Sequence, residues 1–305
     1  MDSLTNKILA LKKKRKAVIL AHNYQLGEVQ DIADYVGDSL GLSVEAAKTK
    51  AGVIVFCGVH FMAETAKILN PGKTVLMPDE NAGCPMADMI GAEELREEKR
   101  KFPNAAVVAY VNTSAAVKAE ADICCTSANA IKVVRSLKDA SEILFIPDMY
   151  LGNYVSKQVP EKKFIFWNGY CPTHVAILAE DIKEAKEKYP DALVLVHPEC
   201  RPDVIELADK VLSTEGMVSF VKASSSKTFI IGTEGGILHR LKKENPGKGF
   251  VPASKRAICP NMKLTTLETV LWSLEEEKHK IVVPKDIADK ARSAIEKMLK
   301  VLRDE

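Results

Sequence analysis

Apolar positions in this chain gather in short runs of strand length, separated by longer stretches in which apolar and polar residues alternate at helical spacing. Ala17-Val18-Ile19-Leu20-Ala21 ends on His22, Ala106-Val107-Val108-Ala109 ends on Tyr110, and Leu193-Val194-Leu195-Val196 ends on His197. Those end points lie 88 and 87 residues apart. A second set of runs covers 53–56, 143–146 and 229–231, and each leads into a helix-like stretch at 63–69, 151–159 or 237–243. A third, shorter set follows at Val75-Leu76-Met77, Phe164-Ile165-Phe166 and Phe250-Val251. Runs rich in Val and Ile that alternate with helical segments such as 92–99 predict βαβ units with mostly parallel strands.

The same spacing organises the polar residues. Ala33-Asp34 precedes Ser39, Ala121-Asp122 precedes Ser127, and Ala208-Asp209 precedes Ser213-Thr214. Beyond the third run of each unit stand Cys84-Pro85, Cys171-Pro172 and Cys259-Pro260. Random placement of seven cysteines and 14 prolines would give fewer than one such pair. Length alone suggests two domains, but a repeat overrides that prior. We therefore expect an α/β protein of three homologous α/β/α units, with mostly parallel sheets arranged about a pseudo-threefold axis. The units are 1–102, 103–189 and 190–278, with the segment 279–305 packed on the first. The stretches 1–14 and 279–305 read as helical additions that both pack on the first unit, Ile281-Val282-Val283 as a possible extra strand, and Thr265 with Glu268 as a capping box.

Composition narrows the classes. With 47% apolar and 28% charged residues the chain is an ordinary globular one, and a net charge of +2 offers no field for nucleic acid or an anionic membrane. No apolar stretch approaches the ~18 residues of a membrane span, and Asp2 and Lys7 interrupt what a signal peptide would need. These features point to the cytosol, with no nucleic-acid and no membrane partner. Seven cysteines are too few for a disulfide scaffold in 305 residues, so reduced thiols are expected.

Loops beyond the carboxyl ends of parallel strands carry function, because crossover helices cover the faces. If three units close about an axis, their equivalent loops meet there. Cys84, Cys171 and Cys259 would then present three thiolates with no fourth in register, which suits zinc with an open position or an iron–sulfur cube with one free iron. His22, Tyr110 and His197 end the first strands, and Tyr24, Asn112 and Glu199 follow two residues later. With Ser39, Ser127 and Thr214 they make a polar pocket for an anionic small molecule. Acid–base groups beside a Lewis acid suit elimination of water or phosphate from a carboxylate-bearing substrate. A zinc-dependent lyase or hydrolase on the same thiolates is one rival reading, and a non-catalytic iron–sulfur sensor or metal carrier is another.

Over essentially its whole length the chain resembles the quinolinate synthase family. The resemblance is carried by Ala21-His22-Asn23-Tyr24, Gly37-Asp38-Ser39, Phe61-Met62-Ala63-Glu64, Tyr110-Val111-Asn112, Cys125-Thr126-Ser127-Ala128-Asn129, Cys171-Pro172-Thr173-His174, His197-Pro198-Glu199-Cys200, Ile231-Gly232-Thr233-Glu234 and Asn261-Met262. It implies condensation of iminoaspartate with dihydroxyacetone phosphate to quinolinate, phosphate and two waters, in NAD biosynthesis. It also implies a functional link to an enzyme that supplies the imine. Cys84, Cys171 and Cys259 would bind a [4Fe-4S] cluster with one open iron. His22, Ser39, Ser127, His174, His197 and Thr214 would hold carboxylate and phosphate groups. Tyr24 and Glu199 would move protons, and Tyr110 and Asn112 would line the open iron.

Plainer readings cover the remaining residues. Cys57, Cys124 and Cys200 read as small core residues, and Cys125 beside Ser127 stays unassigned. His60, His239 and His279 read as core or surface. Ser39, Ser127 and Thr214 compete with a role as plain helix N-caps. Gly232-Thr233-Glu234-Gly235-Gly236 lacks the Lys-Ser/Thr of a phosphate-binding loop and reads as a turn into a helix. The basic run Lys12 to Lys16 reads as a solvated helix end, and Met298, Leu299 and Leu302 as an apolar helix stripe.

Overall fold

The computed structural model describes residues 3–301 and is built from three four-stranded sheets. The first sheet holds β1 (Ala17–His22), β2 (Tyr35–Gly37), β3 (Val53–Cys57) and β4 (Thr74–Leu76). The second holds β5 (Ala105–Tyr110), β6 (Ile123–Cys125), β7 (Glu142–Ile146) and β8 (Lys163–Phe166). The third holds β9 (Leu193–Val196), β10 (Lys210–Val211), β11 (Thr228–Gly232) and β12 (Gly249–Pro252). Every pairing between these strands is parallel, and all three sheets run in the order second, first, third, fourth strand. The expected α/β class and triplication are both present.

The repeated aspartates explain part of that regularity. Asp34, Asp122 and Asp209 each stand just before the second strand of their sheet. Their Oδ2 atoms accept the backbone N–H of Ile19, Val107 and Val194 at 2.8, 2.8 and 2.7 Å. Each aspartate's own N–H donates to the carbonyl of the same residue. The short edge strand is thereby tied in register to the central first strand, where backbone pairing over two or three residues would leave slippage open.

Helices lock the units into a ring. The helix after each Cys-Pro turn covers the next sheet, not its own. Leu95, on helix Ala92–Lys101, joins an apolar cluster shared by the first and second units, and Arg96 and Lys99 of the same helix bond Glu120 of the second. Ile182 and Ala185, on helix Ala179–Lys188, pack with Val194, Val196 and Ile230 of the third. Val270, Leu271 and Leu274, on helix Leu267–Glu276, return to the first sheet and pack with Ile19, Val55 and Cys57. That last exchange closes the three units about an approximate threefold axis and brings the ends of their first strands together.

Several local expectations need correction. The helix at the amino end, Ser3–Arg15, packs on the first unit through Ile8 as expected. The helix at the other end, Lys285–Lys300, buries Ala291, Ala294, Ile295, Met298 and Leu299 against the second unit as well as the first. Its residues 301 and below are described, whereas Leu302 and the outermost positions of the segments 1–102 and 279–305 lie outside the described residues. Residues 281–283 form no strand; Lys280 makes only an isolated antiparallel bridge to Leu76, because Pro284 follows at once and starts the last helix. The capping box sits one residue later than expected, with Thr266 and Thr269 exchanging side-chain-to-backbone bonds, while Thr265 is buried in front of it. Among the described residues no helix is long and apolar enough to cross a membrane. The basic helix end is partly paired, Lys12 with Asp34 and Arg15 with Glu277.

Candidate active site

The carboxyl ends of the three sheets enclose one buried cavity, and every residue expected to form a site lines it. The first unit contributes His22, Tyr24, Ser39 and Cys84, the second Tyr110, Asn112, Ser127 and Cys171 with His174, and the third His197, Glu199, Thr214 and Cys259. Residues separated by almost 90 positions become neighbours because they occupy the same register in equivalent units.

Glu199 is the hub. Its Oε2 lies 2.7 Å from Nδ1 of His174 and 3.9 Å from Nδ1 of His197, and its Oε1 accepts the phenol proton of Tyr110. Nδ1 of His174 is also 3.2 Å from Sγ of Cys171, and its Nε2 reaches Oγ1 of Thr233 at 2.8 Å and the phenol of Tyr24 at 3.3 Å. Tyr24 and Thr233 are 2.5 Å apart. A continuous chain of hydrogen bonds therefore joins the carboxyl of Glu199 to the phenol of Tyr24 through one imidazole. The rings of His174 and His197 stack with centroids 4.6 Å apart, and Nε2 of His197 lies 3.1 Å from the Ser127 hydroxyl.

Burial sorts the protonation states. It pushes the imidazoles of His22 and His197 down to about 3 in spite of the nearby Glu199 charge, so both are neutral at neutral pH. Burial opposes charge on Glu199 too, but the imidazoles beside it and the bonds from His174 and Tyr110 outweigh that cost and hold it below the ordinary carboxylate range. Burial, reinforced by the Glu199 charge, lifts both Tyr24 and Tyr110 well above the ordinary phenol range. The three Cys-Pro thiols are likewise pushed up by burial, Cys84 to about 12. An ionised Glu199, two protonated phenols and the neutral imidazoles of His22 and His197 thus face one space.

A pH prediction follows from the histidines. In the unfolded chain they take protons near 6.5, in the folded one near 3, so the unfolded state binds more protons between those values. Stability is then full above about pH 6.5 and falls as pH drops toward 3, by about 1.4 kcal/mol per pH unit for each imidazole. Urea midpoints measured from pH 7.5 to 4.5 are expected to decline below 6.5, and less steeply in His22→Gln. A flat profile would refute the buried neutral state.

The hydroxyls turn out not to be caps. Asp38 caps helix Ser39–Lys48 through Gly41 N, and Ser213 caps helix Thr214–Ala223 through Gly216 N. Ser39 and Thr214 occupy the first helical turn instead and face the cavity, and Thr214 accepts a bond from Asn23 Nδ2 at 3.0 Å. Ser127 lies before helix Ala130–Ser136, with Asn129 at the cap position. Cys57, Cys124, Cys125 and Cys200 are fully buried and line no part of this cavity. His60, His239 and His279 are surface groups paired with Glu64, Asp31 and Glu80.

Sequence reasoning missed Thr233, which bonds both Tyr24 and His174, and Met62 and Met262, which line the wall. The signal for Thr233 was its register: it directly follows the third strand of its sheet, at a carboxyl end. Cys171, His174 and Glu199 also bring ligating atoms within 4.8 Å of one another, a grouping that the spacing of the three cysteines did not suggest.

Comparison with known proteins agrees with the site. The model of the quinolinate synthetase A protein family (NadA) matches residues 6–300. Quinolinate synthase of Thermodesulfovibrio yellowstonii is 60% identical over 302 residues, covering 99% of both chains. That of Dehalococcoides mccartyi is 59% identical over 301 residues, again 99% of both, and that of Methanosarcina barkeri 56% over 298, covering 98% of this chain and 97% of its own. Matched from end to end by the family and more than half identical to its members, this chain belongs to the quinolinate synthetase A family of enzymes.

Proposed function

We propose that the chain condenses iminoaspartate with dihydroxyacetone phosphate to give quinolinate, phosphate and two waters, with a [4Fe-4S] cluster held by Cys84, Cys171 and Cys259. The observation that carries this reading is the convergence of three equivalent thiols and an acid–base set on one cavity. The donors suit such a cluster. Burial alone would keep the thiols protonated, so three of them on one wall gain their charge only beside a cationic group. Asn112, which lines the same cavity, keeps a buried Oδ1 with no hydrogen-bond partner. Held by Cys84, Cys171 and Cys259, the cluster would supply a Lewis acid through its uncoordinated iron.

The chain's own residues provide the rest. Helices Ser39–Lys48 and Thr214–Ala223 start at the cavity, so their first-turn N–H groups and hydroxyls receive the carboxylate and phosphate groups of the substrates. His22 and His197, held neutral, donate to those anions without adding a titrating charge near neutral pH. Glu199 takes a proton from substrate carbon, and Tyr24, kept protonated, gives one to a departing oxygen. His174 bonds to both and carries the proton between them. The nearly complete burial of Tyr24, His174 and Glu199 keeps bulk water from hydrolysing the imine. The imine comes from an iminoaspartate-producing enzyme to which this one is functionally linked, and the reaction runs in the cytoplasm.

A zinc reading has one observation in its favour, the Cys171, His174 and Glu199 grouping. Those short distances are hydrogen bonds among the three residues, and a single ion there leaves Cys84 and Cys259 without a purpose. Anaerobic purification decides between the readings. Iron and sulfide in equal amounts, with quinolinate formed from the two substrates, are expected. Stoichiometric zinc with no iron uptake on reconstitution would overturn the proposal.

A further inference from the structure

The loop that follows the third strand of the third sheet holds a carboxylate with no exposed surface, Glu234, which takes no part in the proton transfers above. Its Oε2 accepts the N–H of Gly236 at 2.6 Å. Its Oε1 accepts the backbone N–H of Cys259 at 3.1 Å and pairs with Nζ of Lys263 at 2.9 Å. Lys263 also donates to the carbonyl of Tyr24 in the first unit. The same junction is close-packed: a Cβ at Gly236 would sit 2.7 Å from the Tyr24 backbone, and Gln30 Nε2 donates to the Gly236 carbonyl at 3.0 Å. The pair lies within the third unit, which carries Cys259, and Lys263 extends it across the seam to the first, which carries Tyr24, through its bond to the Tyr24 carbonyl.

Register shows that the arrangement is repeated. Gly232 pairs with Val196 and Ile146 with Ala109, so Asp148 stands where Glu234 stands, two residues beyond the paired position. Asp148 is also fully buried; burial and the Glu199 charge raise it well above the ordinary carboxylate range, opposed by the N–H groups of Tyr150 and Leu151, which its Oδ1 accepts, and by the backbone N–H of Cys171. The first unit has Val59 at this place. Two of the three cysteine loops are thus backed by a buried acid at one structural position.

We propose that Glu234 and Lys263 are positioning residues that hold the Cys259 loop and the Tyr24 loop in fixed relation, so that the thiol presents its ligand direction and the phenol its proton to the same cavity. This rests on the reading that Cys259 binds the cluster. The chemistry of the pair makes the idea specific. Every group facing Glu234 is a donor, so it needs two acceptor oxygens. A carboxamide has one oxygen and one NH2, and either orientation sets an N–H against an N–H. Glu234→Gln preserves volume and breaks the pattern, whereas Glu234→Asp keeps the pattern with a shorter reach.

The test compares reconstituted wild type, E234Q, E234D and K263M under anaerobic conditions. Iron release to a chelator and the electron paramagnetic resonance spectrum of the reduced cluster are read, with the thermal midpoint of the iron-free chain as the measure of folding. E234Q is expected to lose iron about 10- to 100-fold faster, the usual range for partners behind metal ligands, and to show a shifted spectrum. E234D is expected to fall between E234Q and wild type. K263M keeps both backbone partners of Glu234, so it is expected to release iron more slowly than E234Q. It is also expected to lower kcat more than it raises KM, because the Tyr24 loop is freed. If E234Q does not fold, K263M carries the test, and wild-type iron release and kcat in that variant overturn the inference. A wild type that holds iron beside an E234Q of unchanged release and spectrum overturns the inference alone. A wild type that takes up no iron overturns the reading of the site and the inference with it.

Discussion

Cys171→Ala is expected to leave a folded chain that retains no iron, and Cys84→Ala and Cys259→Ala are expected to do the same. Each of these cysteines comes from a different unit and lines the shared cavity, so no neighbouring thiol replaces it; the other four cysteines lie outside that wall. A cluster held by three thiolates loses a third of its protein ligands with each substitution. The Cys-Pro positions are turn residues at the cavity wall, so the loss of one sulfur there leaves the sheets and their helices intact. Iron and sulfide counts after anaerobic reconstitution, beside the thermal midpoint, check both halves of the prediction. Cys57→Ala is the control. Cys57 ends β3 inside an apolar cluster, where the same substitution costs about 1 kcal/mol of stability and no iron. Iron retained by any one of the three Cys-Pro variants would remove that residue from the ligand set.

The second large effect belongs to Glu199. Glu199→Gln is expected to keep the cluster and lower kcat by about 10²- to 10⁴-fold, the range that a positioned acid–base group contributes. The carboxylate faces His174 with one oxygen and accepts from Tyr110 on the other; a carboxamide keeps one oxygen and turns an NH2, which cannot take up a proton, toward the remaining partner. Removing the charge leaves burial as the main cause that keeps both phenols protonated but takes away the Glu199 field that reinforces it. The damage is therefore expected to fall on proton transfer more than on substrate affinity, because the hydroxyls of Ser39, Ser127 and Thr214 that line the cavity remain in place. A kcat within threefold of wild type, with iron content unchanged, would take Glu199 out of the proton path.

Much of the molecule was legible along the chain because a parallel α/β unit writes itself in local pattern. Apolar runs of strand length mark β1, β5 and β9, and the residues ending or following them, His22, Tyr110 and His197, are where a functional loop must begin. The recurrence of Asp34, Asp122 and Asp209 was visible as a motif, and the structure supplies its cause, a side-chain bond that pins each edge strand. Equivalence then carried the site: once three units were recognised, Cys84, Cys171 and Cys259 had to meet if the units closed.

Other features left no local trace. That helix Ala179–Lys188 covers the third sheet and not the second depends on which apolar face is nearest once the ring forms, and its amphipathic pattern is the same either way. The last helix straddles two units for the same reason. Thr233 became part of the hydrogen-bond chain only because Tyr24, from another unit, comes within 2.5 Å of it. Glu234 read as part of a turn, since nothing in Gly-Thr-Glu-Gly-Gly tells a solvated acid from one buried against Lys263.

The amino-acid sequence by itself determined the triplicated α/β units, their strand spacing, the three thiols and most of the acid–base groups, because backbone propensity and repeat spacing act over a few tens of residues. Tertiary structure alone decided which unit each covering helix serves, that Glu199 is ionised in a cavity where His22 and His197 are neutral and Tyr24 and Tyr110 protonated, and that Glu234 and Lys263 join two loops across a seam. Those outcomes depend on burial and on distances between residues up to about 240 positions apart, and burial is set only when the ring has closed.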